Sequence, residues 1–405
     1  MNKLAGTKNP LNIVVVVAAL GYFVDIYDLI LFSIVRVPSL RDIGIPEDQL
    51  KASGIFLIQM QMAGMIIGGV VWGIMGDKRG RLSALFFTIL LYSLANIANG
   101  FVHTFEQYAW LRVIAGFGLA GELGIGITLV SEVMSKESRG IGTSIVSGVG
   151  IAGAALAFAF AEWGWKQAYW AGGLLGLMLL GFRVYVHESG MFERIKKEVT
   201  RRGDFFSFFT SAERFKKYVC CILIGIPVWF VIGILVSFSK EFGECLGVPA
   251  INVGKGVMIH YLGAALGSIL TGWLSQVLQS RKKALAIAMT MLTLVTAIYF
   301  SAFGISLNVF YLLLFVLGVS QGYWAIFITV AAEQFGTNLR STATTTIPNF
   351  VRGSTVLMTY AWGGMTPSFG ILKAALVIGL VVMLLAFFGL YNLHESYGKE
   401  LDYTE

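Results

Sequence analysis

Twelve apolar runs, each near twenty residues or longer, leave this chain few folds to choose from. They lie at about 11–37, 51–75, 82–101, 107–134, 140–162, 166–186, 217–240, 251–277, 284–304, 307–332, 341–363 and 368–392. A helix of that length spans roughly 30 Å of hydrocarbon. In lipid the backbone has no water to bond, so such runs become spanning helices whose hydrogen bonds are internal. With 56% hydrophobic and 13% charged residues, the chain carries more apolar surface than a soluble core of this size needs. The pattern predicts an all-α membrane protein of twelve transmembrane helices, arranged as two pseudo-symmetric six-helix bundles. The bundles are expected at 1–186 and 217–405, joined by a cytoplasmic linker at 187–216.

The halves read as a duplication. Glu132 and Arg139 return as Glu333 and Arg340, and Trp72 as Trp273, all 201 residues further on. His187-Glu188-Ser189 returns as His394-Glu395-Ser396 at a slightly larger offset, which places a small insertion late in the second copy.

Most of the 30 lysines and arginines fall in short segments of one side, among them Lys3, Lys8, Lys78, Arg79, Arg81, Lys136, Arg139, Arg183, Arg281, Lys282, Lys283 and Arg340. Basic short loops stay inside, so both termini are expected in the cytoplasm. The same bias accounts for the net charge of +7 without a nucleic-acid partner. The first run is too long for a cleavable leader and carries two aspartates, so it is expected to remain as the first helix. Cys220, Cys221 and Cys245 lack metal-ligand spacing and read as structural thiols. No cofactor or metal is implied.

Charge inside the spans marks candidate chemistry, because an isolated ion there is costly and usually faces a cavity or a partner. Asp25 and Asp28 stand one helical turn apart near mid-membrane, and Glu122 lies near the middle of the fourth run. These three are the candidate proton carriers. A structural pair neutralised by Arg36 or Arg112 is the alternative for the aspartates. The second half is sparser. Arg352 falls near the bilayer middle where the first copy has Ile151, and its planar fork suits a substrate carboxylate. A structural partner among Asp25, Asp28 and Glu122 is the alternative for Arg352. Asn349, Gln321, Tyr323, Trp324 and Arg112 complete the candidate substrate site. Gly64, Gly68, Gly69 and Gly73 read as helix-packing positions.

The turn Gly73-Ile74-Met75-Gly76-Asp77-Lys78-Arg79-Gly80-Arg81 resembles the signature loop between the second and third helices of the major facilitator superfamily. The run R-x3-G-F-G-x2-G-E from Arg112 to Glu122, with Glu132, Arg139-Gly140 and the first span's D-x-Y-D, resembles its metabolite:proton symporter branch. That branch commonly has glutamate where Asp25 stands. There is a weaker resemblance to the bacterial intraphagosomal nutrient transporters. The resemblance implies a cytoplasmic latch in which Asp77, Arg81, Glu132, Arg139, Glu333 and Arg340 act as gating residues, with Arg139 a partner for Asp77. The second copy keeps Arg281, Lys282 and Lys283 of the signature and is expected to latch weakly.

Duplicated bundles with buried acids on one side and a central arginine on the other lead to an expectation of secondary active transport by alternating access. The expected process is proton-coupled uptake of a small carboxylate-bearing metabolite, an amino acid or organic acid. A proton-driven exporter and an importer of a larger polycarboxylate such as a siderophore are the alternatives, the latter requiring a roomier cavity. No nucleophile triad, metal cluster or phosphate loop suggests an enzyme. The expected setting is the bacterial inner membrane, as a monomer in lipid. The linker, with mixed charge and clustered phenylalanines, is expected as an interfacial amphipathic helix whose basic residues meet headgroups.

Overall fold

The computed structural model describes residues 9, 11–183, 188–195, 202–248 and 250–405. Among them, ten helices are long and apolar enough to cross a membrane. Taken in order with the 19-residue helix Trp165–Arg183, they are α1 (Ile13–Asp42), α2 (Leu50–Arg79), α3 (Arg81–Asn99), α4 (Phe105–Val133), α5 (Arg139–Ala161), α6 (Trp165–Arg183), α7 (Ala212–Val236), α8 (Val253–Val277), α9 (Arg281–Phe300), α10 (Leu307–Gln334) and the long element Arg340–Asn392. The last is two helices, α11 (340–369) and α12 (371–392), because Gly370 sits between them at φ 77°, a conformation open to glycine. The expected twelve helices are present. Large apolar side chains such as Phe87, Leu94, Leu294 and Leu384 face outward, as a lipid-facing surface requires.

α2 packs on α11, and α5 on α8, across the interface between the bundles. The glycines of α2 divide this work. A Cβ on Gly64 or Gly68 would strike the α4 backbone at Val113 or Phe117, whereas one on Gly69 or Gly73 would strike Asn349 or Thr342 of α11. One helix thus approaches a neighbour in its own bundle and another across the interface.

α4 and α10 break at matching places, around 120–121 and 322–323. At the first break the carbonyl of Ala120 accepts a hydrogen bond from Asn349 Nδ2 at 2.8 Å, so the second bundle satisfies a group the helix has released. α7 ends in a π-helical turn, Val231–Val236, just after Pro227. Such turns often sit at functional sites.

The linker is described in part. Its described parts are the short helix Gly190–Ile195 and a 3-10 turn, Phe205–Phe209. Phe208 stacks on Tyr218 at 4.7 Å and meets Phe335 edge-on, so the aromatic cluster turns partly into the second bundle, leaving Phe206 and Phe209 outside. Packing against Tyr218 competes with lipid for the same rings. Lys3, Lys8, His187, Lys196, Lys197 and Arg201 lie outside the described residues.

Candidate functional site

A small chamber lies between the bundles, lined by residues of both. Ile151 and Arg352, repeat counterparts, both line it. So does Trp229, the counterpart of Asp28. Tyr22, Tyr261, Gln321 and Trp324 complete its polar and aromatic lining. The Arg352 guanidinium carbon stands 6.0 Å from the Trp229 ring and 5.9 Å from that of Trp324, within cation–π range of both. Its Nη1 donates to Asn349 Oδ1 at 3.0 Å, and its Nε has no hydrogen-bond partner among the described residues. No carboxylate oxygen of those residues lies within salt-bridge range of Arg352.

Trp229, Ile232 and Tyr261 are shared with an open cleft whose walls include Arg36, Gln59, Ser237 and Thr359. The π-helical turn contributes Ile232, Gly233 and Val236 to that wall. The chamber and the cleft thus share a wall, and the cleft lies at the end opposite the basic loops.

The three candidate acids have different surroundings. Arg183 donates to Glu122 Oε1, and Thr88 Oγ1 lies 3.4 Å from Oε2. Arg183, expected among the inner-loop cations, is instead a buried residue at the end of α6, where its guanidinium meets Glu122. A Cβ at Gly21 would collide with this pair, so glycine lets α1 lie against it.

Asp25 and Asp28 are fully buried, and among the described residues neither carboxylate finds a hydrogen-bond partner. Arg352 attracts Asp25 across the interface and Glu122 repels it. Asp28 faces Arg112 and Asn96 inside the first bundle, beside Gly172 of α6. Arg112 donates to Asn96 at 3.3 Å and lies over Tyr169 at 5.0 Å, away from the chamber. Tyr323 also turns away, donating to the Ile224 carbonyl at 3.0 Å. Asn349 supports Arg352 rather than lining the chamber.

The basic end is closed by a two-fold lock. Glu132 accepts from Arg81 of its own bundle at 2.8 Å and from Arg340 of the other at 2.9 Å. Glu333 accepts from Arg281 at 3.0 Å within its bundle and from Arg139 across the interface at 3.4 Å. Ser189 and Ser396 donate to Glu132 and Glu333 in turn. The second copy thus carries a full glutamate–arginine unit, more than its loop suggested.

Asp77 has different partners from those expected. Its carboxylate caps α11, accepting the backbone N–H groups of Ser341 at 3.0 Å and Thr342 at 2.8 Å, with Arg81 at 3.5 Å. Arg139 is engaged by Glu333 and the Ser131 carbonyl instead. A carboxylate at a helix N-terminus gains from both the free amides and the dipole.

Sequence reasoning missed the chain's last segment as part of this lock. The carbonyl of Leu401, a fully buried residue, accepts from Arg340 at 2.6 Å, while that of Lys399 accepts from Arg139 at 3.3 Å. Glu188 and Glu395 cap α3 and α9 through Leu82 N–H and through the N–H groups of Arg281 and Lys282. Their environments differ. Burial pushes the Glu188 carboxyl up. Burial also acts upward on Glu395, but donors from Ser280, Tyr397, Arg281 and Lys282 outweigh it and hold that carboxyl below its usual range.

Comparison with known proteins agrees with this geometry. A model of the Major Facilitator Superfamily matches residues 18–353. A probable 4-methylmuconolactone transporter of Cupriavidus pinatubonensis is 25% identical over 94% of this chain and 90% of its own. The 3-(3-hydroxy-phenyl)propionate transporter of Escherichia coli is 28% identical over 62% of each chain. The solved proton:xylose symporter XylE superposes with a TM-score of 0.77 at 18% identity, over 96% of this chain and 97% of that one.

Proposed function

The chain belongs to the major facilitator superfamily and is a membrane transporter of metabolites, not an enzyme; on that premise we propose that it takes up a small ring-bearing carboxylate together with protons. The observation that carries this reading is Arg352. It is 1% exposed, faces a chamber walled by Trp229 and Trp324, and has neutral groups for close partners. A buried arginine with no carboxylate within salt-bridge range is costly, and an anionic ligand offsets that cost. The two indole rings suit a flat solute. Two relatives bear names of ring-containing solutes, one of them a phenylpropionate, in line with these walls.

Proton coupling follows from competition for one arginine. In this reading a substrate carboxylate and Asp25 compete for Arg352, which couples substrate binding to protonation of Asp25. Asp28, a turn nearer the open end, passes the proton inward. Glu122, tied to Arg183 and Thr88, is the least available of the three. With the basic end in the cytoplasm of a bacterium, this state is open to the outside, and rocking of the bundles about the chamber delivers the solute inward.

The test is uptake into proteoliposomes. An imposed inward proton gradient should drive accumulation of 3-(3-hydroxyphenyl)propionate or a related ring acid, and collapse of the gradient should abolish it. Equal uptake with and without the gradient would remove the proton from the account.

A further inference from the structure

The outer cleft holds a cation that the transport reading leaves unused. Basic residues gather at the other end of the molecule, yet Arg36 of α1 lines this cleft together with Ser237 and Thr359 of the second bundle. Other cations of this end are paired: Arg41 with Glu47, Lys166 with Asp42 and Lys240 with Glu244, all within 4.0 Å. Arg36 has no carboxylate within that range and no hydrogen-bond partner among the described residues, although its Nε is buried. Glu241 attracts it from further off. A Cβ on Gly54 of α2 would strike the Arg36 stem, so glycine there lets the arginine lie against α2.

Around this cation the cleft is largely apolar. Ile58, Met62 and Val356 belong to its wall, and Trp229, Ile232 and Tyr261 are common to it and the chamber. A positive group set among low-dielectric walls concentrates anions from solution. Its guanidinium can bond a carboxylate, while a ring laid on the wall beside it displaces water from apolar surface. Arg36 is half-buried, so water still reaches the pair and the stay is short.

We propose that Arg36 is the cation of a second, outer binding site, which captures the carboxylate of the ring acid ahead of its transfer to Arg352. The choice of solute rests on the carboxylate reading above, to which this adds a second place of binding. The walls belong to both bundles, so the site exists while the outer end is open and is lost when the bundles rock.

A thiol reporter separates the two sites. Thr359 spends its hydroxyl on carbonyls of its own helix, so Thr359→Cys in a Cys245→Ser background sets a thiol in the cleft, Cys220 and Cys221 being buried. With Arg352→Ala added to silence the chamber, 3-(3-hydroxyphenyl)propionate at millimolar concentration should slow maleimide labelling of the purified full chain about threefold or more, and its primary amide should not. Arg36→Gln should remove that protection; Arg36→Ala serves the same purpose should the glutamine variant misfold. Equal protection by acid and amide, protection that survives both Arg36 variants, or no protection at all overturns the outer site. Calorimetry of the protein with Arg352 intact tests the carboxylate reading separately. An Arg352-dependent preference for acid over amide keeps that reading whatever the reporter shows, and its absence removes the reading even where Arg36-dependent protection supports the outer site.

Discussion

Arg340 reaches Glu132 across the bundle interface at 2.9 Å, whereas its repeat counterpart Arg139 reaches Glu333 at 3.4 Å. The tighter half of the lock is therefore the one beside the Asp77 cap. Glu132 is also shared by Arg81 and Ser189, so its loss strands two buried guanidinium groups.

Glu132→Gln is expected to open the basic end, at a cost of about 3–5 kcal/mol to the closed state, the range for breaking a buried pair. Thr344, which meets Thr128 across the interface at 2.6 Å, supplies a reporter position. With exposed Cys245 replaced by serine, Thr344→Cys should be alkylated slowly in the parent and quickly with Glu132→Gln. Equal rates would show that the lock does not hold this end shut.

Asp77→Asn keeps the shape of the cap but removes its charge from the α11 N-terminus, while Asp77→Ala removes both. Apparent melting temperature should fall in the order wild type, asparagine, alanine, with the alanine variant losing about 0.5–2 kcal/mol. Alanine and asparagine variants of equal stability would deny the capping role.

Much of this lock was legible in the sequence, because duplication exposes Glu132, Arg139, Glu333 and Arg340 at one offset. The partners were not. That Asp77 meets Ser341 depends on how α2 lies against α11, a relation between residues 264 apart that no local pattern encodes. Arg183 has the look of a loop cation, since its place at the end of an apolar run says nothing about Glu122. Trp229, Tyr22 and Tyr261 were hidden for the opposite reason: an aromatic in an apolar span looks the same whether it faces lipid, core or cavity. Arg352 was visible because charge at that depth is costly wherever it points.

Glu395 makes a pH prediction. Its folded carboxyl titrates below the unfolded value of about 4.3, so its contribution to stability is present above that value and is lost as pH falls through the lower, folded one. Melting temperature should drop on acidification below about pH 4, and Glu395→Gln should flatten that drop. A variant with an unchanged acid limb would show that the cap on α9 contributes nothing.

Asp28→Asn should abolish accumulation against a gradient while leaving some exchange of solute, because the proton then has no first acceptor at the open side. Proteoliposomes loaded with labelled acid separate the two activities. If the variant still concentrates solute under an imposed proton gradient, Asp25 becomes the better carrier.

The central claim is that Arg352 holds the carboxylate of the solute, and calorimetry on an acid and its amide tests it most directly. Wild-type protein should bind 3-(3-hydroxyphenyl)propionate at least tenfold tighter than its primary amide. Arg352→Lys keeps the charge but loses the fork, so the ratio should shrink; Arg352→Ala should bring it near one. If folded Arg352→Ala protein distinguishes acid from amide as well as the wild type does, Arg352 is structural and the carboxylate assignment is wrong.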